Sequence, residues 1–486
     1  MNSVTFSFIK SHDEISHMKN PPKLTEIQME PFKQKFGNKK IFAQSLMPVR
    51  GSKGFRKLDY HFVEKLNPAE IITKIVNHGF NAFGLVVKDT DGATIAKTKV
   101  GWNPTGRDLV EEFSEICQKR NITFLLSVTN MNDAYRGAIH PETASIHIKD
   151  GKGFKKGDPG IHNDGEMRVT LPEGVTIEEM QKKIPFLTDQ IDETIGSARN
   201  ARGMGYIPTT AFHCPRSEHG EYMLALIKEL ASNYHVDGIL ADYIRYATDH
   251  IDYCGCDRCR SAFAEQYPDS IPNKSHKPQK LKGKDWYRFR MDNIVAFGKK
   301  FNGTIKSVDE NILTGWFNLP GPKIYSNRLT GQDYFGLTKE MDCALPMLYP
   351  YLAGTIDDGK YWGNLANFMH WYSQRNMKRR FSDYGKDACV LSITNSVECN
   401  VEEMLKSLIA YDYGLGISVF KYFGTSDSQW YACKLYGEKL TQQNVGANPP
   451  NQGDIRAILR EVYIKYPPKV APRWWKEERK KIRDGK

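Results

Sequence analysis

Eight short apolar runs, separated by amphipathic helical stretches, predict a (β/α)8 TIM barrel with loop insertions and a basic C-terminal appendage. The runs are almost continuously apolar rather than alternating, as expected of strands covered on both faces. Charged and aromatic residues crowd the C-terminal ends of several runs, the end at which such barrels carry their sites. An open doubly wound sheet is the alternative, but the glycine-rich phosphate fingerprint of that class is missing from the sequence.

The first strand is expected at 41–47. Asn67, Pro68 and Glu70 then supply a cap, a first-turn proline and an acidic third position, so a helix starts there and ends near His78-Gly79. Strand two follows at 81–87, a helix at 108–119 and strand three at 122–128. This is βαβαβ with short joints, which winds right-handedly into a parallel sheet. Residues 135–205 break the rhythm: 151–160 read as a glycine-rich loop and 176–199 as a helix. The alternation resumes with a helix at 218–233, strand four at 236–241, a polar stretch to about residue 285, a helix at 286–308 and strand five at 312–317. Strands six to eight are expected at 343–348, 388–393 and 417–422, with a helix at 401–411. The division is an N-terminal extension (1–38), a barrel (39–436) with insertions at about 135–205 and 247–285, and an appendage (437–486).

Hydrophobic residues make up 40% of the 486 residues and aromatics 12%, enough for a sizeable core. No apolar run reaches the length of a membrane span, and the N-terminus lacks the basic start and apolar stretch of a secretory signal. The net charge of +11 suits an acidic partner, but much of it lies at 274–284 and 474–483, where solvated basic faces explain it. No helix-turn-helix, finger or RNA-binding signature accompanies it, so nucleic acid is not the expected partner. An anionic polysaccharide stays open, as does the oligomeric state.

The densest signal is Val236-Asp237-Gly238-Ile239-Leu240-Ala241-Asp242-Tyr243-Ile244-Arg245-Tyr246. An apolar strand there delivers a carboxylate, two tyrosines and an arginine; the bland reading is a structural Asp–Arg pair. Residues just past strand ends face the cleft of a barrel, which makes Asp89, Asp91, Asp133, Asp242 and Glu398 the candidate acids. Asp342 precedes its strand and is read as structural. Glycosidic bond cleavage needs two carboxyl groups, about 5–5.5 Å apart for retention and about 6.5–9.5 Å for inversion. Asp242 suits the charged partner, with Arg245, Tyr243 or Tyr246 to keep it ionised, since a cationic neighbour lowers a carboxyl pKa. Glu398 suits the protonated partner; its bland reading is a solvated loop residue ahead of the helix cap Asn400. Trp316, Tyr349 and Tyr351 stand at strand ends as stacking platforms for pyranose faces. With Asp89, Asn130, Arg245 and Tyr246 they form the expected substrate-binding set.

Cys254-x-Cys256-x-x-Cys259 supplies three thiolates on one tight turn, a spacing suited to zinc, with Cys214 as first choice for the fourth ligand and His213 and His250 in reserve. Such a closed site is structural and would fasten the loop after strand four; no cofactor is expected for catalysis. Free thiols or a disulfide are the alternative.

Several segments resemble known hydrolases. The stretches 86–92, 98–101, 107–113 and 119–122 are similar to the N-terminal half of alpha-L-fucosidase-like and hypothetical glycosyl hydrolase barrels. Residues 236–242 resemble the fucosidase segment whose last Asp is the nucleophile, which implies that role for Asp242. Residues 331–334 and 341–349 resemble strand six of the same hydrolases. The cysteine motif followed by Phe263 resembles the zinc loop of barrel beta-galactosidases, which implies an upstream cysteine as fourth ligand. Tyr243-Ile244-Arg245-Tyr246 stands where fucosidases have a glycine. The expectation is a retaining glycoside hydrolase acting on an oligo- or polysaccharide, with acidic and fucose-containing glycans both open. A non-catalytic carbohydrate-binding barrel is the alternative.

Overall fold

The computed structural model describes residues 39–50, 57–148, 160–161, 167–171, 174–184, 187, 204–207, 211–247, 252–270, 284–319, 329–347, 391–395, 399–411, 415–444 and 452–484. The eight expected strands are present: β1 Ile41–Leu46, β2 Ala82–Lys88, β3 Thr123–Thr129, β4 Gly238–Asp242, β5 Leu313–Asn318, β6 Cys343–Pro346, β7 Leu391–Asn395 and β8 Gly416–Phe420. They form one sheet in the order β6-β5-β4-β3-β2-β1-β8-β7, and every neighbouring pair is parallel. β6 and β7, at the two ends of the ladder, come within 8 Å of each other between Cα atoms, so the sheet curls round as a barrel. The helices between strands are α1 Pro68–Asn77, α2 Leu109–Lys119, α3 Glu218–Asn233, α4 Lys284–Lys306, α5 Tyr334–Glu340 and α6 Val401–Tyr411, with α7 Asp427–Leu440 after β8.

Local chemistry sets these limits. Asn67 Oδ1 accepts from the N–H groups of Ala69 (3.1 Å) and Glu70 (3.3 Å), and Pro68 occupies the first turn of α1, where its missing N–H costs nothing. Gly79, at φ +80°, turns the chain out of α1 toward β2; a Cβ there would lie 3.2 Å from the carbonyl of Lys434. Asp108 caps α2 through the N–H of Glu111 at 3.1 Å. Of the helix expected at 176–199, the described residues show only its start: Thr176 and Glu179 form a capping box, and the helix Ile177–Gln181 is followed by a turn, while 185–186 and 188–199 lie outside the described residues. Pro185, four positions on, has no N–H to give and biases its predecessor out of the helical region. The glycine-rich stretch 151–159 lies outside the described residues.

Two apolar layers hold the barrel. Ile41, Ala43, Ala82, Leu125, Leu240, Leu313, Cys343, Leu345, Leu415 and Phe420 fill the interior, and a larger cluster lies between sheet and helices. The C-terminal helices Gln452–Lys465 and Arg473–Arg483 join that outer cluster through Ile455, Ile458, Leu459, Val462, Tyr463 and Trp475. α7 itself runs through residue 437, so the barrel packing continues past the expected boundary at 436. Asp342 accepts from the Thr314 N–H (2.8 Å) and pairs with Lys306 (2.7 Å), a bracing role at the rim where the strands begin. Among the described residues no helix is long and apolar enough to cross a membrane.

Candidate active site and cysteine cluster

The direction of Asp242 follows from its strand. Leu240 lies in the interior cluster, and alternation puts Asp242, two residues on, on the same inner side. It sits at the C-terminal rim opposite Thr129 of β3 and is half-buried. Its Oδ1 accepts from the Tyr243 N–H at 2.7 Å. Its carbonyl accepts from both the backbone N–H and the side-chain Nδ2 of Asn130, each at 2.9 Å. Tyr243 has φ +49°, a left-handed conformation that costs a bulky residue about 1–3 kcal/mol. Neighbours hold it there: Met131 N–H donates to its carbonyl (3.1 Å), and the Arg245 guanidinium lies 4.4 Å from its ring centre.

The acids on the preceding loops are committed elsewhere. Asp89 is buried, and its Oδ1 accepts from the adjacent Thr90 N–H at 2.6 Å, closing the turn that ends at Gly92. Asp91 is buried and accepts from the Tyr60 hydroxyl and from Ala93 N–H. Asp133 caps the helix Ala134–Ile139 and pairs with Lys88 at 3.0 Å in a fully buried bridge. Glu398, Tyr349 and Tyr351 lie outside the described residues.

Two expected binding residues stand elsewhere. Trp316 is 0% exposed, has the outward parity of Ala241, its partner in register, and packs in the outer cluster with Tyr334, ring centres 5.5 Å apart. It is a core residue; Phe317, half-buried against the interior cluster, is the inward aromatic at that strand end. Tyr246 is buried behind the rim, where its hydroxyl accepts from Asn293 Nδ2 of α4 (3.3 Å) and its ring faces Arg290 at 4.6 Å. Burial pushes its phenol pKa far up, so it acts as neither acid nor base at neutral pH. Asn130 is buried as a strap between β3 and β4, with Nδ2 also donating to Val128 O at 2.7 Å. Arg245 is nearly sealed and, among the described residues, forms no ion pair with Asp242.

The four cysteines meet. Cys214, Cys254, Cys256 and Cys259 are buried with all Sγ atoms within 4.8 Å of one another. Sγ of Cys214 lies 3.4 Å from that of Cys259 and 3.7 Å from that of Cys256. Tetrahedral zinc with bonds of about 2.3 Å spaces its sulfurs about 3.8 Å apart, so the set fits a four-thiolate ion. Crowding splits the thiols: hydrogen bonds from the other three hold Cys256 far below the ordinary thiol range, while Cys214 and Cys259 are pushed up. Gly255 is required by close approach, since a Cβ would lie 1.4 Å from Ile148 Cγ2. The cluster joins the loop after β4 to the segment that opens α3, and a zinc held by all four sulfurs would have its tetrahedral set filled.

Sequence reasoning did not anticipate the buried network beside this cluster. Lys88 donates to Thr129 O (3.0 Å) as well as to Asp133. The His213 and His219 rings stack 3.9 Å apart, with Nε2–H groups donating to the carbonyls of Asp133 (2.9 Å) and Asn130 (2.7 Å). Burial pushes His213 down to about 4 and His219 well below the usual imidazole value, so both are neutral at pH 7. A lysine ending an otherwise apolar strand was the available signal.

The strand order and curl define the class of fold: a (β/α)8 barrel. The chain is similar to beta-galactosidase from Bacillus circulans sp. alkalophilus (TM-score 0.52, 13% identity, covering 84% of this chain and 56% of that one). It is likewise similar to alpha-L-fucosidase isoenzyme 2 from Paenibacillus thiaminolyticus (TM-score 0.50, 11% identity, 87% and 56% covered). The PgaB (BpsB) glycoside hydrolase domain from Bordetella bronchiseptica gives a TM-score of 0.49 at 10% identity, with 83% and 99% covered. The chain thus spans just over half the length of the first two. No protein-family model and no curated protein sequence matches it.

Proposed function

We propose that this barrel is a glycoside hydrolase that cleaves oligo- or polysaccharide bonds by a retaining double displacement with Asp242 as nucleophile. One observation carries the reading: Asp242 is the half-buried, inward-facing acid at the active rim, whereas Asp89, Asp91 and Asp133 are sealed in turns, caps and ion pairs. In this scheme a carboxylate oxygen of Asp242 attacks the anomeric carbon as a second carboxylic acid protonates the departing glycosidic oxygen. Water, deprotonated by that same residue, then releases the sugar with its original configuration. Glu398 remains the proposed acid/base. The fold shared with beta-galactosidase and alpha-L-fucosidase supports the reaction class and leaves the sugar open.

We assign the cysteine cluster to structural zinc, held by Cys214, Cys254, Cys256 and Cys259 and serving to fasten the β4 loop. Metal analysis of reduced protein tests this, with one zinc per chain expected and none contradicting it. For the activity, the test is a polysaccharide digestion screen read by new reducing ends, with Asp242→Asn as control. Products from the wild type but not from Asp242→Asn support the assignment. Saccharide affinity without product would point instead to a non-catalytic carbohydrate-binding barrel.

A further inference from the structure

The helix Arg473–Arg483 is anchored on one side and bare on the other. Trp475 is buried in the outer cluster, and the Trp474 ring stacks on Tyr463 of the preceding helix, ring centres 5.8 Å apart. At about 100° per residue, Arg473, Lys476, Arg479, Lys480 and Arg483 fall within an arc of about 120° on the side turned away from the two tryptophans. All five are exposed. They place a cation on each successive turn along about 15 Å of helix. The two glutamates of the helix lie outside the arc and are engaged, Glu477 with Arg473 at 3.1 Å and Glu478 with Arg460 of the preceding helix at 3.5 Å. Arg483 meets Asp484 at 3.5 Å, and among the described residues Lys476, Arg479 and Lys480 form no ion pair.

Local helix energetics disfavour this pattern. Arg473 and Lys476, Lys476 and Lys480, and Arg479 and Arg483 are like charges three or four positions apart, which repel across a helix surface. Arg473 and Lys476 also stand at the positive end of the helix dipole, where the first turn carries no acid. The helix is held instead by its packing, and it displays a row of cations that a polyanion would neutralise. The chemistry of the face narrows the choice of polyanion. Its apolar side is spent on the barrel, so the helix has none to lay into a lipid bilayer. Both tryptophans point away from the row, so no aromatic platform on it awaits unstacked bases. What remains is charge in a line, the complement of a linear polymer with repeated acidic groups, on a barrel whose fold is that of enzymes acting on glycans.

We propose that the outer face of the helix Arg473–Arg483 docks a linear anionic polysaccharide, and that this polymer is the one the barrel cleaves. The second half rests on the hydrolase reading and narrows its substrate to an acidic glycan. Docking on the outer layer raises the effective concentration of cleavable bonds without any contact to the reacting sugar. A net charge of +11 favours approach of such a polymer.

The test uses the full chain and does not depend on turnover. Binding of labelled polygalacturonate and dextran sulfate is titrated at one ionic strength, with neutral dextran, duplex DNA and phosphatidylserine vesicles as further arms. The wild type is expected to bind at least one acidic polysaccharide more tightly than DNA or vesicles, and dextran not at all. Preference for polygalacturonate would mark a carboxylated polymer, and preference for dextran sulfate a sulfated one. A variant combining Lys476→Gln, Arg479→Gln, Lys480→Gln and Arg483→Gln is expected to bind at least about tenfold more weakly with its unfolding midpoint unchanged. A second variant makes the same change in net charge with Lys119→Gln, Lys228→Gln, Lys299→Gln and Lys339→Gln, exposed lysines on α2 to α5. Its loss is expected to stay within about twofold, because charges away from the row act only through the screened overall field. Equal losses in the two variants, tighter binding to DNA or vesicles, or binding to neither acidic polysaccharide would overturn the docking face. Turnover separates the two readings. Acidic polymer that binds but yields no new reducing ends leaves the docking face and sinks the substrate; cleavage of neutral polymers alone, without polyanion binding, removes the face and leaves the hydrolase. Where the acidic polymer is cleaved, the helix variant is expected to raise KM at unchanged kcat.

Discussion

The loop that follows β4 has two ends with opposite character. At its start Asp242 is half-buried on the inner side of the rim; from residue 254 onward three cysteines are sealed against Cys214 on the outer side. Both were legible as polar chemistry on one stretch of sequence. Burial separates their roles. As the proposed nucleophile Asp242 needs a path to solvent, whereas a closed four-sulfur cluster needs none and gains from exclusion of water. At the inner end the Met131 N–H and the Arg245 guanidinium hold a left-handed Tyr243 directly after the carboxylate.

That contrast can be broken at either end. The largest expected effect is at the inner end: Asp242→Asn lowers turnover by at least about a thousandfold while the unfolding midpoint stays close to wild type, because a half-buried rim residue carries little of the packing. At the outer end Cys214→Ser does the converse. It is expected to lower the midpoint by roughly 5 °C or more and to release metal, as measured by calorimetry and metal analysis. Trp316→Ala distinguishes core from platform: a stability loss of about 3–5 kcal/mol in denaturant titration is expected, without a selective rise in KM. A raised KM at unchanged stability would return Trp316 to the cleft.

The histidines between the two ends give a pH signature. His219 has its folded pKa below its ordinary value of 6.5, chiefly through burial, so the unfolded chain binds the extra proton. Stability is therefore full above about pH 6.5 and falls as the pH drops below it. His219→Gln, which retains a donor for the Asn130 carbonyl, is expected to reduce that slope; an unchanged slope would place the acid sensitivity elsewhere. The smallest expected effect is Asn67→Ala, at about 1 kcal/mol for the lost cap of α1.

The barrel was legible because its strands are apolar and its helices amphipathic, and all eight strands fall within three residues of expectation. The face of each strand was less so. In a strand covered on both sides no alternation marks which residues point inward, so Trp316 read as a cleft residue until the pairing of β5 with β4 assigned its parity. The cysteine motif was legible because close spacing and shared chemistry leave few arrangements. The C-terminal helices were hidden by charge: Arg473–Arg483 reads as a solvated basic face, yet Trp475 is 2% exposed against the core. Arg245 was read as a binding residue on its nearness to Asp242; its place against the rings of Tyr243 and Phe212 depends on a segment distant in sequence.

Rescue of the Asp242→Ala variant by sodium azide tests the central claim most directly, once the digestion screen has supplied an activated substrate. If Asp242 is the nucleophile, the variant is inactive alone, and azide enters the space left by the carboxylate, restores turnover and yields a glycosyl azide. Wild-type rates in the variant without azide would contradict the claim.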